Sequence, residues 1–263
     1  MTHDELARAA MAGAMILLGV GALAWPRCFA GVAGYFTRWS ADLSSADRAR
    51  LDRVVDAREN AEGISATYGR YLGIAGILLA GLELIPTVPM VAPYALFCLV
   101  VAGITLLAYL QFRRAADKRV APLVRRSPFT ALPPLVIAAI AWSFLADVAL
   151  SAYAPVRLSA ILVAISTLVL GMIAWRIANA PALLIGSDPQ WEYAVDERVR
   201  IGRARTVANL ACAPALIVIA LAERSLPPEY ALIGSITFGI SAAATLITIA
   251  ASLLPLRRRI VPA

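Results

Sequence analysis

Long apolar runs alternate along this chain with polar segments, and every second polar segment is rich in arginine. Of the 263 residues, 60% are hydrophobic and only 16% are charged, whereas a soluble domain has about 25% charged residues. A helix needs about 20 apolar residues to cross a hydrocarbon core of roughly 30 Å. The sequence therefore predicts an all-α integral membrane protein that forms a single membrane domain over residues 1–263.

Seven apolar runs have the length of a transmembrane helix. Pro86, Pro89 and Pro93 divide the nearly continuous stretch from Tyr71 to Phe112, because closely spaced prolines mark a turn between helices. The predicted helices lie near residues 8–25, 66–85, 92–112, 130–150, 156–176, 206–223 and 229–254.

The positive charges predict the orientation of these helices. The 24 lysines and arginines lie in or beside the segments 26–65, 113–129 and 177–205 and in the C-terminal tail, with three exceptions: Arg8, Arg157 and Arg224. Loops rich in Lys and Arg stay in the cytoplasm. The three segments are therefore predicted to be cytoplasmic loops, with the N-terminus outside and the C-terminus inside, which requires an odd number of spans.

The first apolar run has a second interpretation. Ala22-Leu23-Ala24 resembles a signal-peptidase site, and cleavage there would remove the first helix. Asp4 and Glu5 precede the run, whereas a signal peptide begins with a net positive segment. This favours a retained membrane helix, and processing stays the alternative.

The net charge of +7 predicts a bilayer with anionic headgroups as the partner of the arginine-rich side. The sequence has no nucleic-acid-binding module, so a nucleic-acid partner is not expected. A membrane-protein partner is compatible with the charged loops. The composition, rich in Ala and Arg and poor in Lys, favours the plasma membrane of a prokaryote.

The residue inventory argues against most enzymes. The only histidine is His3 and the only lysine is Lys118, while Cys28, Cys98 and Cys212 are widely separated. Metal sites, haem ligation and a Ser-His-Asp triad all require other combinations. We therefore expect no catalytic residue, no cofactor and no metal site, and we interpret the cysteines as small buried hydrophobic residues.

Ionisable residues in membrane helices are the first places to look for function. Glu83, Asp147 and Glu223 all fall near the outer ends of predicted helices. They are either interfacial carboxylates that reach water or an outer vestibule that attracts cations. Asn209 and Pro214 predict a polar pocket where the sixth helix is interrupted.

Five hydroxyl-bearing residues in the apolar runs can bond across helices: Ser143, Ser166, Thr167, Thr245 and Thr248.

A short signature predicts an internal repeat. Val-Asp-x-Arg occurs twice at an offset of 140 residues, with Asp56 and Arg58 in the first copy and Asp196 and Arg198 in the second. Residues 8–114 and 156–259 then form two parallel three-helix units, with the helix at 130–150 as their linker. The alternative is two unrelated segments that share common apolar residues.

Residues 10–112 resemble small, uncharacterised three-helix prokaryotic membrane proteins. The resemblance rests on Ala33-Gly34-Tyr35, the charged segment from Leu43 to Asp56 and the helix from Gly69 to Gly81, and it implies a fold only. The 3+1+3 plan is also similar to that of the sugar-transporting SWEET family. Pro214 matches the helix prolines of that family, but the second helix has no proline before Pro86.

Three functions are compatible with these features. The favoured one is a non-catalytic accessory or scaffold subunit of a membrane assembly, because no recognisable polar site lies at the membrane midplane and the loops are charged. The alternative is a small-solute or ion transporter or channel built from the two repeats. The third, a membrane-embedded enzyme, is opposed by the residue inventory.

Overall fold

The computed structural model describes residues 3–24, 64–85, 87–88, 92–116, 127–179 and 189–253. In these ranges the chain is helical and has no strand, which confirms the all-α prediction for this part of it. The long helices are α1 His3–Ala24, α2 Ile64–Glu83, α3 Ala92–Ala116, α4 Pro134–Leu150, α5 Arg157–Ala178, α6 Pro189–Ser225 and α7 Ala231–Leu253.

Three of these helices are long and apolar enough to cross a membrane. Counted with the flanking helical turns, the candidate spans are Ala154–Ala178, Arg200–Glu223 and Pro228–Ala251. Shorter apolar helices cover Arg8–Ala24, Ala92–Leu107 and Pro134–Leu150. The described part of the chain therefore has the helices of a membrane protein.

Helix α6 is longer than the sequence predicted. The expected loop over 177–205 is helical from Pro189 onward. Proline fits the first position of a helix, where its missing N–H costs no hydrogen bond, and a pair such as Glu197 and Arg200 supports the following turns. Prediction from apolar runs missed this segment because charge ends an apolar run but not a helix. With 37 residues, α6 is about 55 Å long at 1.5 Å per residue.

Helix α6 packs against α4, α5 and α7. Arg205 contacts Ala251 at one end of the α6–α7 pair and Glu223 contacts Ser235 at the other, so the two helices are antiparallel. One buried cluster joins the starts of α1 and α5 to the ends of α4 and α6: Met11, Ala146, Ala160 and Ile219. We call the end of the bundle that contains this cluster the Arg8 end, and the opposite end the Arg205 end.

Helices α1 and α2 approach each other through glycines. A Cβ atom on Gly73 would lie 2.8 Å from the backbone oxygen of Gly19, and one on Gly76 would lie 3.0 Å from that of Met15. Small residues allow such backbone contact. In a membrane, where the hydrophobic effect does not drive helices together, this close packing favours their association. This pair therefore depends on the absence of side chains at these positions.

Arg8 binds the C-terminal end of α2 and the turn that follows it. Its guanidinium donates to the carbonyl oxygens of Glu83 at 3.1 Å, Ile85 at 3.3 Å and Val88 at 2.9 Å. The last carbonyls of a helix have no partner within the helix, and their partial negative charge favours a cation. Arg8, an exception to the charge distribution, thus has a structural role.

Two arginines of α6 do the same at the Arg205 end. Arg205 donates to Ala251 at 2.7 Å, in the last turn of α7, and to Ala131 at 3.2 Å, in the short helix Pro128–Ala131. The buried Arg200 donates to Ala178, the last residue of α5, and pairs with Glu197. One helix therefore supplies the donors for the ends of three neighbouring segments.

The glycine contact generates a prediction for stability. Gly73→Ala should separate α1 from α2 and lower the free energy of unfolding by about 1–3 kcal/mol, the usual cost of overpacking. The matched control is Gly81→Ala in the same helix, where a Cβ atom meets nothing within 4 Å. Thermal unfolding of the purified variants in detergent measures both, and equal midpoints would contradict the close contact.

Candidate functional site

Most buried polar side chains in the described part of the chain have a hydrogen-bond partner. Ser143 and Asp147, which lie one turn apart on α4, are exceptions. Asp147 is fully buried, and neither carboxylate oxygen has a hydrogen-bond partner among the described residues. The Ser143 hydroxyl, one turn earlier on the same face, is likewise without one within that part of the chain. Unsatisfied polar groups of this kind are rare in native proteins and call for an explanation.

The surroundings of Asp147 come from three helices. Cys98 of α3 and Cys212 of α6 lie within electrostatic range of the carboxyl group. Tyr94, one turn before Cys98, lies beside the Cys98 thiol, and Ser143 lies beside the Cys212 thiol. We call Tyr94, Cys98, Ser143, Asp147 and Cys212 the Asp147 cluster.

The cluster is closed on its sides by apolar packing. Ala146, next to Asp147, packs with Ala160 and Val163 of α5, and Cys212 packs with Ala244 of α7. Burying an ionised carboxylate without a counter-ion costs several kcal/mol even after the protein relaxes. The arrangement can therefore hold a neutral carboxyl group, or a carboxylate together with a bound cation.

The other two predicted acids lie at the same end of the bundle in different surroundings. Glu83 is the last residue of α2 and is fully buried, beside the carbonyls that Arg8 contacts. Glu223 is half-buried in the last turns of α6, and its carboxylate accepts a 2.6 Å bond from Ser235. An outer vestibule formed by Glu83, Asp147 and Glu223 stays a prediction.

Asn209 contributes to the α6–α7 contact. Its side-chain oxygen lies 3.2 Å from the Thr248 hydroxyl, which also lies 2.8 Å from the Thr245 carbonyl. A hydroxyl has a single proton to donate, so Thr248 shares it between these two acceptors. Asn209 is thus part of a described helix–helix contact.

Pro214 lies buried inside α6. Because proline has no N–H, the carbonyl of Leu210 has no helical donor. The next carbonyl, that of Ala211, accepts a 3.0 Å bond from Thr167 of α5. A neighbouring helix therefore supplies a hydrogen-bond donor to the carbonyl next to the one that Pro214 leaves without a helical donor.

The five predicted hydroxyl donors have different outcomes. Thr167 and Thr248 bond across helices, as predicted. Ser166 and Thr245 instead donate to carbonyls four residues earlier in their own helices. Ser143 belongs to the Asp147 cluster.

One half of the repeat signature lies in the described part of the chain. Asp56 and Arg58 lie outside the described residues, whereas Asp196 and Arg198 lie in α6. The described ranges contain no group of three or more His, Cys, Asp or Glu side chains that could hold a metal ion.

The sequence did not reveal the neighbours of Asp147. Cys98 and Cys212 are buried, as predicted, but they lie beside an acid and not in a purely apolar core. Their positions offered no signal, since α3 and α6 are distant in sequence and each cysteine is flanked by apolar residues. No protein-family model, curated protein or solved structure matches the chain.

Loss of the bond near Pro214 should weaken the bundle. Thr167→Val removes the donor to Ala211 and should cost about 0.6 to 1.7 kcal/mol, the measured range for hydrogen bonds between membrane helices. Thr105→Val is the control, because its hydroxyl bonds to Val101 in its own helix. Unfolding in detergent compares the two, and a Thr167→Val protein as stable as Thr105→Val would contradict the assigned role.

Proposed function

We propose that the chain is a plasma-membrane protein of a prokaryote in which all seven long helices cross the bilayer. The N-terminus is outside, and the arginine-rich Arg205 end faces the cytoplasm and its anionic lipids. The antiparallel packing of α6 and α7 supports this orientation, because it places Arg200 and Arg205 at one end of the bundle and Glu223 at the other. The short α4 is accommodated by local thinning of the bilayer, which costs little per ångström. The 3+1+3 repeat is kept as part of the proposal.

We further propose that the protein transports a small cation, or a solute coupled to one, and that Asp147 binds the cation. The observation behind this proposal is the fully buried carboxyl group of Asp147 without a hydrogen-bond partner among the described residues. An ionisable residue inside a membrane protein that is costly to bury marks an ion pathway by default. The accessory-subunit hypothesis rests on the charged loops and on the lack of a recognisable polar site at the membrane midplane. The Asp147 cluster is a buried polar site nearer the Arg8 end, and we propose it as the place where the cation binds.

Currents from reconstituted protein test this proposal. The purified chain is placed in liposomes adsorbed to a sensor, and the external solution is changed in H⁺, Na⁺ or K⁺ concentration, one ion at a time. Wild-type protein should give a transient current for at least one ion. Asp147→Asn should abolish that current, because an amide has no negative form to bind a cation.

The control for this experiment is Glu229→Gln. Glu229 is an exposed acid in the turn before α7, so the substitution removes one negative charge from the same end of the bundle and should leave the current intact. A wild-type protein silent to all three ions, or an Asp147→Asn protein with the wild-type current, would refute ion transport through Asp147.

The accessory-subunit hypothesis is the second candidate, and the surface of α7 favours it. Only 28% of the α7 span is buried in the bundle, against 50% of the α5 and α6 spans. Its exposed apolar residues include Leu232, Ile233, Ile236 and Leu246. In a bilayer this face contacts lipid or a helix of a partner protein.

Purification from native membranes in a mild detergent distinguishes these two occupants of the α7 face. A stoichiometric membrane partner that is lost when Ile236 is replaced by Trp would support the accessory role. The matched control is Ile161→Trp, on an exposed apolar position of α5. A protein that purifies alone at every detergent concentration would contradict the accessory-subunit hypothesis.

A further inference from the structure

We infer that the ion bound by Asp147 is a proton, held as a neutral carboxylic acid between α3, α4 and α6. The role of this proton in transport rests on the function proposed above, whereas its presence in the folded protein does not. The inference starts from the burial of the carboxyl group and from the chemistry of the side chains around it.

The charges around Asp147 offer no counter-ion in the described part of the chain. Its titratable neighbours are Tyr94 and Cys98 from α3 and Cys212 from α6, all neutral at physiological pH unless a base removes their proton. On the α5 side, Ala160 and Val163 pack with Ala146, the residue before Asp147. Arg157, at the start of α5, donates to the carbonyl of Ser151 beyond the end of α4.

Helix α7 completes this environment with neutral groups. Its Ser241 hydroxyl accepts a 2.9 Å bond from the indole N–H of Trp142 on α4, and its Ala244 packs against Cys212. Apolar and neutral polar surroundings stabilise an uncharged carboxyl group relative to a carboxylate, because the carboxylate loses far more solvation on burial.

The same neighbours are poor ligands for a metal cation. Hard cations prefer several oxygen ligands from carboxylates, carbonyls and water, whereas the other members of the Asp147 cluster supply two hydroxyls and two thiols. Soft cations prefer thiolates, but the described residues include no group of three or more Cys, His, Asp or Glu side chains close enough to hold one. A proton needs only the carboxyl oxygen itself.

Proton exchange at this site is a simple acid dissociation. The O–H bond of the Asp147 carboxylic acid breaks when water reaches the cluster, the proton passes to a water molecule, and the carboxylate that remains is solvated by that water. Reprotonation from water on either side restores the neutral acid and permits the cluster to close. Because Asp147 lies one turn from the C-terminal end of α4, the exchange begins at the Arg8 end.

Infrared spectroscopy of the reconstituted full-length protein tests the inference directly. A buried protonated carboxyl group gives a C=O stretching band separate from the carboxylate bands, and exchange into D₂O shifts it. At neutral pH the wild-type spectrum should contain this band, and the Asp147→Asn spectrum should lack the component that belongs to Asp147. The buried Glu83 can contribute a second component, which would be present in both the wild-type and the Asp147→Asn spectra. The spectrum of Glu83→Gln identifies that component, because it should lack it.

A second variant keeps the test valid if Asp147→Asn does not fold. Asp147→Glu retains a carboxyl group at the same place in α4, and it should shift the frequency of the component instead of removing it. Glu229→Gln serves again as the unaffected control, because its side chain is exposed.

The outcomes separate this inference from the proposed function. An Asp147 component in the wild-type spectrum supports the proton, and it does so even if the protein carries no current, in which case only the transport proposal fails. An Asp147 that is ionised at neutral pH overturns the inference. If Na⁺ or K⁺ then evokes a current that Asp147→Asn abolishes, the transport proposal stands with a metal cation as its ion.

Discussion

Arginine guanidinium groups that bind helix C-termini are the interaction on which this bundle depends. Unpaired backbone carbonyls are costly wherever water is excluded, and each helix ends with such carbonyls. Arg8 supplies donors to the end of α2, while Arg200 and Arg205 supply them to α5, α7 and the short helix before α4. The positions of these side chains therefore fix where the neighbouring helices end relative to α1 and α6.

This role explains what charge counting could predict and what it could not. The alternation of apolar runs with arginine-rich segments predicts a helical membrane protein. It also predicts that arginines concentrate at one end of the bundle, the Arg205 end. Charge counting treats each arginine as an equivalent charge, although Arg200 is buried and bonded to the backbone of α5. The helical segment that begins at Pro189 is not predicted for the same reason, because a charged segment between apolar runs can be a helix as well as a loop.

The candidate site was predictable in part. An acid within an apolar run is unusual, so the sequence indicates Asp147 as a candidate functional residue. Its position near the end of a predicted helix favours the alternative of an interfacial carboxylate. Position along a helix does not give the direction of a side chain relative to its neighbours. The fully buried state of Asp147 depends on how α3 and α6 pack around α4, and these contacts between distant segments leave no mark in a single sequence.

The interrupted part of α6 lies next to the buried acid. Cys212, a neighbour of Asp147, stands two residues before Pro214, in the turn where the helix lacks a backbone hydrogen bond. Thr167 holds one carbonyl of this turn from α5, and Asn209 joins the preceding turn to α7. A bend of α6 at this point would alter the contacts of Ala211 with Thr167 and of Asn209 with Thr248, and it would move Cys212 relative to Asp147. The turn of α6 that lacks a backbone hydrogen bond is therefore adjacent to the side chains that surround the Asp147 carboxyl group.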